Sequence, residues 1–357
     1  MKKLVRVFIM MIIVIGVLTA CVNTATKNET VTEAAKPVLA NKIFKVDMPA
    51  KFEGLYDTKT QENAINFYDN ECVKEGNPGW VFGIYVHKEP NEWAGGPVEK
   101  VGELTLSDGT LYDVIIAYPT ETQWGLDRSM PEKYKNLYEA RYEVAANIKG
   151  LKDEKVTIGA GTKGENLYKD VLSKHLNALN EKWDAVKLEE EGMSSMYVAI
   201  AQGDGNILDN VGYAYKDINL DGIDELLIGE VTDGEWKDVI YDIYTMVDRK
   251  PKHVISGWDR NRYIALEGGM IANEYSGGAD ESGVNIYTLV SNSTELFPQL
   301  AYKYDAYTNA DKPWFIAYNK TGDDWNYENV DESKYNELVN RFSKHASYTF
   351  VSFSTVK

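Results

Sequence analysis

Disulfide chemistry is the first thing this sequence lacks. Only two cysteines, Cys21 and Cys72, occur in 357 residues. Histidine is nearly as scarce: His87, His175, His253 and His345 are far apart, and none sits in H-E-x-x-H or another zinc pattern. No G-x-S-x-G elbow occurs, which removes the usual serine-hydrolase signature. Positive charge is outweighed, with 38 Lys and Arg against 55 Asp and Glu and a formal charge of −17. Such a surface repels nucleic acid and anionic headgroups and suits divalent cations. The apolar run Val7–Ala20 stops at 14 residues, short of the roughly 20 that span a bilayer.

What is present at the start is an export signal. Lys2, Lys3 and Arg6 precede the charge-free run, the pattern of a secretory signal peptide over residues 1–20. It ends Leu18-Thr19-Ala20-Cys21, which resembles the lipobox of bacterial lipoproteins. The resemblance implies cleavage before Cys21 and lipidation of its thiol, palmitate included. The plainer alternative is an ordinary signal cut elsewhere, with Cys21 incidental. Two acyl chains give stable anchoring where one does not. The expected location is therefore the extracytoplasmic face of the cell membrane. Loss of three basic residues takes the mature charge from −17 to −20. Cys72 then stands alone, so no intrachain disulfide forms and the fold rests on hydrophobic burial. Cys72 itself reads as a small buried hydrophobe, or else as a reactive thiol.

The organisation expected of the rest is an α+β fold in two domains, each a mainly antiparallel sheet packed by one or two helices. Residues 21–42 are Thr-, Ala- and Asn-rich and read as a lipidated, disordered tether. Residues 43–150 form the first domain. Its strands are expected at 43–46, 64–68, 80–87, 100–106 and 110–118, with Asp108-Gly109 as a hairpin turn. A helix follows from about 131 to 149, with Ser129 and Glu132 at capping-box spacing and Gly150 as its stop.

Residues 151–164 form a glycine-containing linker. Gly159, Gly161 and Gly164 spell G-x-G-x-x-G. The three-residue strand before it, and the want of a second βαβ unit, argue against a dinucleotide site. Residues 165–357 form the second, β-rich domain, opened by a helix with Tyr168, Val171, Leu172, His175, Leu176, Leu179 and Trp183 on one stripe. Strands are expected at 211–216, 225–229, 239–247, 254–257, 269–272, 284–289, 295–304, 314–318 and 348–353, with a helix at 332–343. No unit recurs at a fixed spacing, which excludes a propeller array. The 24 tyrosines suit either cross-strand packing or a surface that binds sugars or peptides.

One stretch names its chemistry from residue type and spacing. Residues 213–228 read YAYKDINLDGIDELLI, with Asp217, Asn219, Asp221, Gly222 and Glu225 at loop positions 1, 3, 5, 6 and 9. Alternate side chains of a tight loop converge on one point, and calcium takes six to eight oxygens. The carbonyl of Ile223 faces that point, whereas Asp224 alternates outward and is no ligand. An EF-hand is excluded, because position 12 is Ile228 and strands flank the loop. The stretch resembles the D-x-D-x-D-G loops of integrin-type propeller blades and the single Y-D-I-[DN]-x-D-G-x-x-E-L-L-I hairpin of Gram-positive lipoproteins. That resemblance implies one calcium held by Asp217, Asn219, Asp221, Ile223 and Glu225. A plain acidic turn is the alternative.

Function is less legible. The expectation is a membrane-anchored, calcium-stabilised binding or scaffolding module at the cell surface, with a surface glycan or protein as ligand, no nucleic acid and no catalysis. The alternative is an envelope hydrolase of glycan or peptide using a pair drawn from the loop acids Asp204, Asp233, Asp280, Glu281 and Asp324. A solute receptor would need repeated βαβ units, which are missing.

Overall fold

Alternating and continuous apolar runs build antiparallel sheets throughout the computed structural model, which describes residues 38–356 apart from 204, 235 and 323. Cys21, the signal peptide and most of the expected tether lie outside the described residues, as does Asp204. The fold is α+β, and Lys36–Lys357 forms one compact unit. Among the described residues, no helix is long and apolar enough to cross a membrane.

The first half runs β1 (Val38–Ala40), β2 (Phe44–Asp47), β3 (Tyr56–Thr60), β4 (Ala64–Asp69), α1 (Asn70–Lys74), β5 (Trp80–His87), β6 (Val98–Thr105) and β7 (Leu111–Ala117). Then come α2 (Glu132–Glu139), α3 (Arg141–Ala146), β8 (Ile148–Gly150) and β9 (Val156–Ile158). A six-stranded sheet has the order β3-β4-β5-β7-β6-β9, and β1-β2-β8 form a small sheet of their own. Phe67, Phe82, Ile84, Leu104 and Ile116 meet Tyr134, Leu137 and Val144 of the helices in one core. Cys72 lies in that core with no exposure, and burial pushes its thiol up to about 12. It is therefore a packed hydrophobe and no nucleophile.

Three local expectations change. The tether ends early, since Val38–Ala40 pairs with Lys45–Asp47. The single helix at 131–149 is two short helices meeting at Ala140, and Pro131 rather than Ser129 stands at its start without a side-chain cap. Residues 148–150 leave the helix because the free edge of β2 offers them a ladder, Phe44 opposite Gly150 and Val46 opposite Ile148.

The second half opens with α4 (Gly164–Leu167), α5 (Lys169–Asn180), α6 (Ala185–Glu190), α7 (Met196–Ala201) and α8 (Ile207–Asn210). Strands follow as β10 (Val211–Lys216), β11 (Glu225–Glu230), β12 (Ile240–Val247), β13 (Lys250–Ser256), β14 (Asn261–Leu266), β15 (Met270–Gly278), β16 (Glu281–Leu289) and β17 (Leu296–Asp305). The chain ends with β18 (Trp314–Ala317), β19 (Lys320–Thr321), β20 (Asp324–Trp325), β21 (Glu328–Asn329), α9 (Glu332–Arg341) and β22 (Val351–Ser352). One 11-stranded sheet has the order β21-β18-β17-β16-β15-β14-β12-β11-β10-β22, with β13 attached to β12. The apolar stripe of α5, with Leu172, Ala178 and Leu179, packs with Leu226, Ile228 and Tyr241 of the sheet. Leu338 and Phe342 at α9 cover Ile264, Ile286 and Ile316.

β14, absent from the sequence expectation, exposes a repeat that the expectation denied. Asn261-x-Tyr263, Asn273-x-Tyr275 and Asn285-x-Tyr287 recur every twelve residues. The antiparallel register makes that interval one strand and one turn, with Tyr263 opposite Asn273 and Asn273 opposite Asn285. The Asn285 amide donates to Asn273 Oδ1 at 3.2 Å, and the Asn273 amide to Asn261 Oδ1 at 2.7 Å. The result is a side-chain ladder across three strands.

Candidate functional site: an acidic loop and a buried junction

The hairpin expected at 211–229 forms with Val211 opposite Glu230 and Lys216 opposite Glu225. Its loop is wound by its own acids. Asp217 accepts from the amides of Leu220 at 2.7 Å and Gly222 at 3.0 Å. Asn219 Oδ1 accepts from Asp221 N at 3.1 Å, and its amide nitrogen lies 3.2 Å from Asp221 Oδ2. Asp221 Oδ1 accepts from Ile223 N at 2.9 Å. Glu225 takes Ile218 N at 2.9 Å on one oxygen and the Thr245 hydroxyl at 3.0 Å on the other.

Burial makes this costly. Asp221 is 4% exposed and Glu225 fully buried. Loss of water lifts the carboxyl of Asp217 above its usual range and that of Asp221 to about 6. Glu225 is lifted well above normal, first by burial and then by Asp221. The strongest influences on these three acids are burial, hydrogen-bond donors and one another, with no lysine, arginine or histidine among them. Four oxygen-bearing side chains are the donor set a hard cation takes. Among the described residues, however, no three His, Cys, Asp or Glu side chains already converge as a metal cluster. Their oxygens face backbone amides instead.

Asp224 does not face solvent. Its carboxylate accepts from Gly164 N at 3.2 Å and lies 3.9 Å from Lys163. Its amide donates to Thr162 O at 2.9 Å, and its carbonyl accepts from the Tyr168 hydroxyl at 3.0 Å. Position 8 is therefore a clasp onto the 162–168 segment. This also accounts for the G-x-G-x-x-G string. A Cβ at Gly161 would collide with Glu103 and Lys100, and one at Gly164 with the Tyr215 ring.

The loop also docks on the first half. Lys100 N donates to Asp221 O at 2.7 Å. Gly222 turns at φ +88, and a Cβ there would strike the Lys100 backbone. A bulge between Lys100 and Gly102 frees that amide from the β6–β7 ladder. The Lys100 side chain, 2% exposed, reaches Glu103 at 2.9 Å and Asp113 at 2.8 Å. Arg249, on the tip of the β12–β13 hairpin, reaches Asp113 at 3.1 Å from the other half. Sequence reasoning missed this buried cluster, because Asp113 and Arg249 stand 13 and 149 residues from Lys100.

The described loop acids are carried by three separate segments. Asp233 lines a recess with Glu230, Asp238 and Tyr348 on the loop before β12. Asp280 and Glu281 lie at the β15–β16 turn and Asp324 in the β19–β20 hairpin. All four histidines meet polar partners. His87 lies 3.3 Å from Glu92 and His345 2.8 Å from Asp238. Ser256 Oγ lies 3.0 Å from His253 Nε2 and 2.5 Å from Asp242 Oδ1. Asp242 Oδ1 lies 3.4 Å from the same ring nitrogen. Hydroxyl and carboxylate thus share one side of the ring, which is not the arrangement of a proton relay. His175 is fully buried between the hydroxyls of Tyr197 and Tyr244, each at 3.0 Å. Tyr197 donates to Asp242 at 2.5 Å. That assigns His175 Nδ1–H as donor to Tyr197, while the single Tyr244 proton faces both Nε2 at 3.0 Å and Gly192 O at 3.3 Å.

The chain matches no known protein-family model, and comparison with curated proteins and with solved structures returns no match either.

Proposed function

We propose that this chain is an extracytoplasmic lipoprotein, anchored through Cys21, whose folded part is a calcium-braced binding or scaffolding module at the cell surface. The observation that carries the calcium is a loop with three desolvated carboxylates whose strongest influences include no basic group. Such a set favours a bound cation, since burying charge without a partner is costly. Asp217, Asn219, Asp221, Glu225 and the Ile223 carbonyl are the ligands proposed. The ion would supply the positive charge the loop lacks. Because the same loop docks on Lys100 and clasps residues 162–168, its bracing would reach beyond the hairpin to the junction of the two sheets. The dispersal of the loop acids favours binding over hydrolysis. The proposed ligand is a surface glycan or protein.

A melting titration of the mature chain with calcium, magnesium and chelator tests this. Extracellular calcium modules bind at about 10⁻⁴–10⁻³ M, so tenfold excess should add about 1–2 kcal/mol. Magnesium should add less, because it prefers a tighter octahedron and keeps its water. Asp221→Asn keeps the shape, removes a charge and should lose the calcium shift. A wild-type protein that melts identically in calcium and chelator ends the calcium reading. Membrane fractionation of Cys21→Ala tests the anchor, and undiminished membrane binding would place it elsewhere.

A further inference from the structure

The bulge in β6 brings three reactive side chains together. Glu103 lies opposite Asp113 in the β6–β7 ladder, and Lys100 lies opposite Ile115. Three residues apart on an unbroken strand, Lys100 and Glu103 would point to opposite faces. The irregularity between Lys100 and Gly102 resets that alternation, so that the Lys100 ammonium reaches both Glu103 and Asp113.

The two contacts of that ammonium differ in kind. It donates a hydrogen bond to Glu103 Oε1 at 2.9 Å. Asp113 Oδ1 lies 2.8 Å from the same nitrogen, yet out of line, and accepts no hydrogen bond. Asp113 Oδ2, by contrast, accepts from Trp93 Nε1 at 3.2 Å and from Arg249 Nη2 at 3.1 Å. The Lys100 and Asp113 side chains are 2% and 1% exposed, and that of Glu103 is 21% exposed. Trp93, Leu167, Ile223 and Met246 make the surroundings apolar.

We propose that Lys100 and Asp113 condense after folding into an intramolecular amide, an isopeptide bond across β6 and β7, with Glu103 as proton carrier. Glu103 takes a proton from the ammonium and passes it to Oδ1, so that a neutral amine meets a neutral acid. The Nζ–Cγ bond forms, the Cγ–Oδ1 bond breaks, and Oδ1 departs as water. Both of its protons come from the nitrogen. An ammonium and a carboxylate thus become one neutral amide and one water, with nothing oxidised or reduced and no co-reactant. Negative charge developing on Oδ2 meets the Trp93 and Arg249 donors already in place.

In water the separate ions are favoured over the amide by their hydration. Burial removes that advantage, and positioning is worth an effective concentration of about 10⁵–10⁸ M. Asp113 rather than Glu103 is the acid attacked. Its retained oxygen is held by two donors and its leaving oxygen by none, whereas Glu103 takes the nitrogen as an in-line donor. Arg249 comes from the β12–β13 hairpin, so the site is complete only once the two halves have docked. Afterwards Arg249 and Glu103 remain, one cation and one carboxylate, and the cluster stays balanced. The bond goes beyond the binding or scaffolding role proposed above and depends on neither calcium nor the anchor.

Tryptic mass mapping of the denatured full chain tests it. Trypsin cuts after Lys88, Lys100 and Arg128, and residues 101–127 hold no other lysine or arginine. An amide on Lys100 blocks the middle cut. The wild-type chain should therefore yield one peptide, 89–128, lighter than its sequence by one water, with fragmentation placing the link between Lys100 and Asp113. Glu103→Gln keeps the shape of the carrier but cannot take the proton. It should slow bond formation by about a hundredfold, so that freshly made variant is cut after Lys100. The proposal is overturned if wild type is cut after Lys100, or left uncut there without loss of water. It is also overturned if fragmentation places the link on Glu103, or if Glu103→Gln links as fast as wild type. A lost water within 101–128 beside normal cutting at Lys100 would be a succinimide at Asp108-Gly109, and it counts against the proposal too.

Discussion

The junction of the two sheets buries charge in two ways. In the cluster around Lys100, two cations face two carboxylates, and the group is balanced. In the loop at 217–225, three carboxylates face amides and the hydroxyls of Thr245 and Ser291. The two sets are joined through one backbone hydrogen bond, Lys100 N to Asp221 O. Balanced charge of this kind is a fixed part of a fold, because removing either partner strands the other. Unbalanced charge is an invitation to a cation, and its energy depends on what the solution supplies.

The largest way to break the comparison is Lys100→Met. It leaves buried Asp113 with Arg249 alone and should cost about 3–5 kcal/mol in urea unfolding, in calcium and chelator alike. A loss under 1 kcal/mol would mean the cluster is solvated. A third buried charge site gives a pH arm. Burial lowers the His175 pKa to about 4. Between pH 6.5 and 4 the unfolded chain takes up a proton that the folded chain refuses. The His175 contribution to stability is therefore full above pH 6.5 and is lost, by about 3 kcal/mol, as pH drops to 4, against an opposite slope from the raised carboxyls of the acidic loop. His175→Gln should flatten that slope; an unchanged slope would assign it to other groups.

Asp224→Ala should have a smaller effect, about 1 kcal/mol, through the lost acceptor for Gly164 N. Equal melting losses with and without calcium would mark it as a clasp, and a loss seen only with calcium would make it a ligand. Least disruptive is a single cut. The exposed turn at 151–155, with Lys152 and Lys155, lies between β8 and β9 and should be the first site for trypsin, leaving a resistant fragment on each side. First cleavage elsewhere would place the boundary outside 151–164.

Much of the fold could be read beforehand. β5 and β10 begin and end where their apolar runs do, because local pattern and burial agree there. The acidic loop was legible because its donors lie within nine residues. The loss of residues 148–150 from the helix was not, since the competing ladder on β2 is about a hundred residues upstream. Nor was the Lys100 cluster, which depends on a bulge and on a hairpin tip from the other sheet. The partners of Asp224 were not legible, because alternation tells which way a side chain points, not what waits there.

The twelve-residue Asn-x-Tyr interval gives β14–β16 a frame of its own, much as codons frame a message. Side chains alternate across a strand, so parity decides which face each residue joins. Deleting one residue from the turn at 267–269 would throw Asn273, Tyr275 and everything in register after them onto the wrong face. Deleting two would shorten the turn and keep the phase. Length variation in this part of the molecule should therefore be tolerated in even steps and rejected in odd ones.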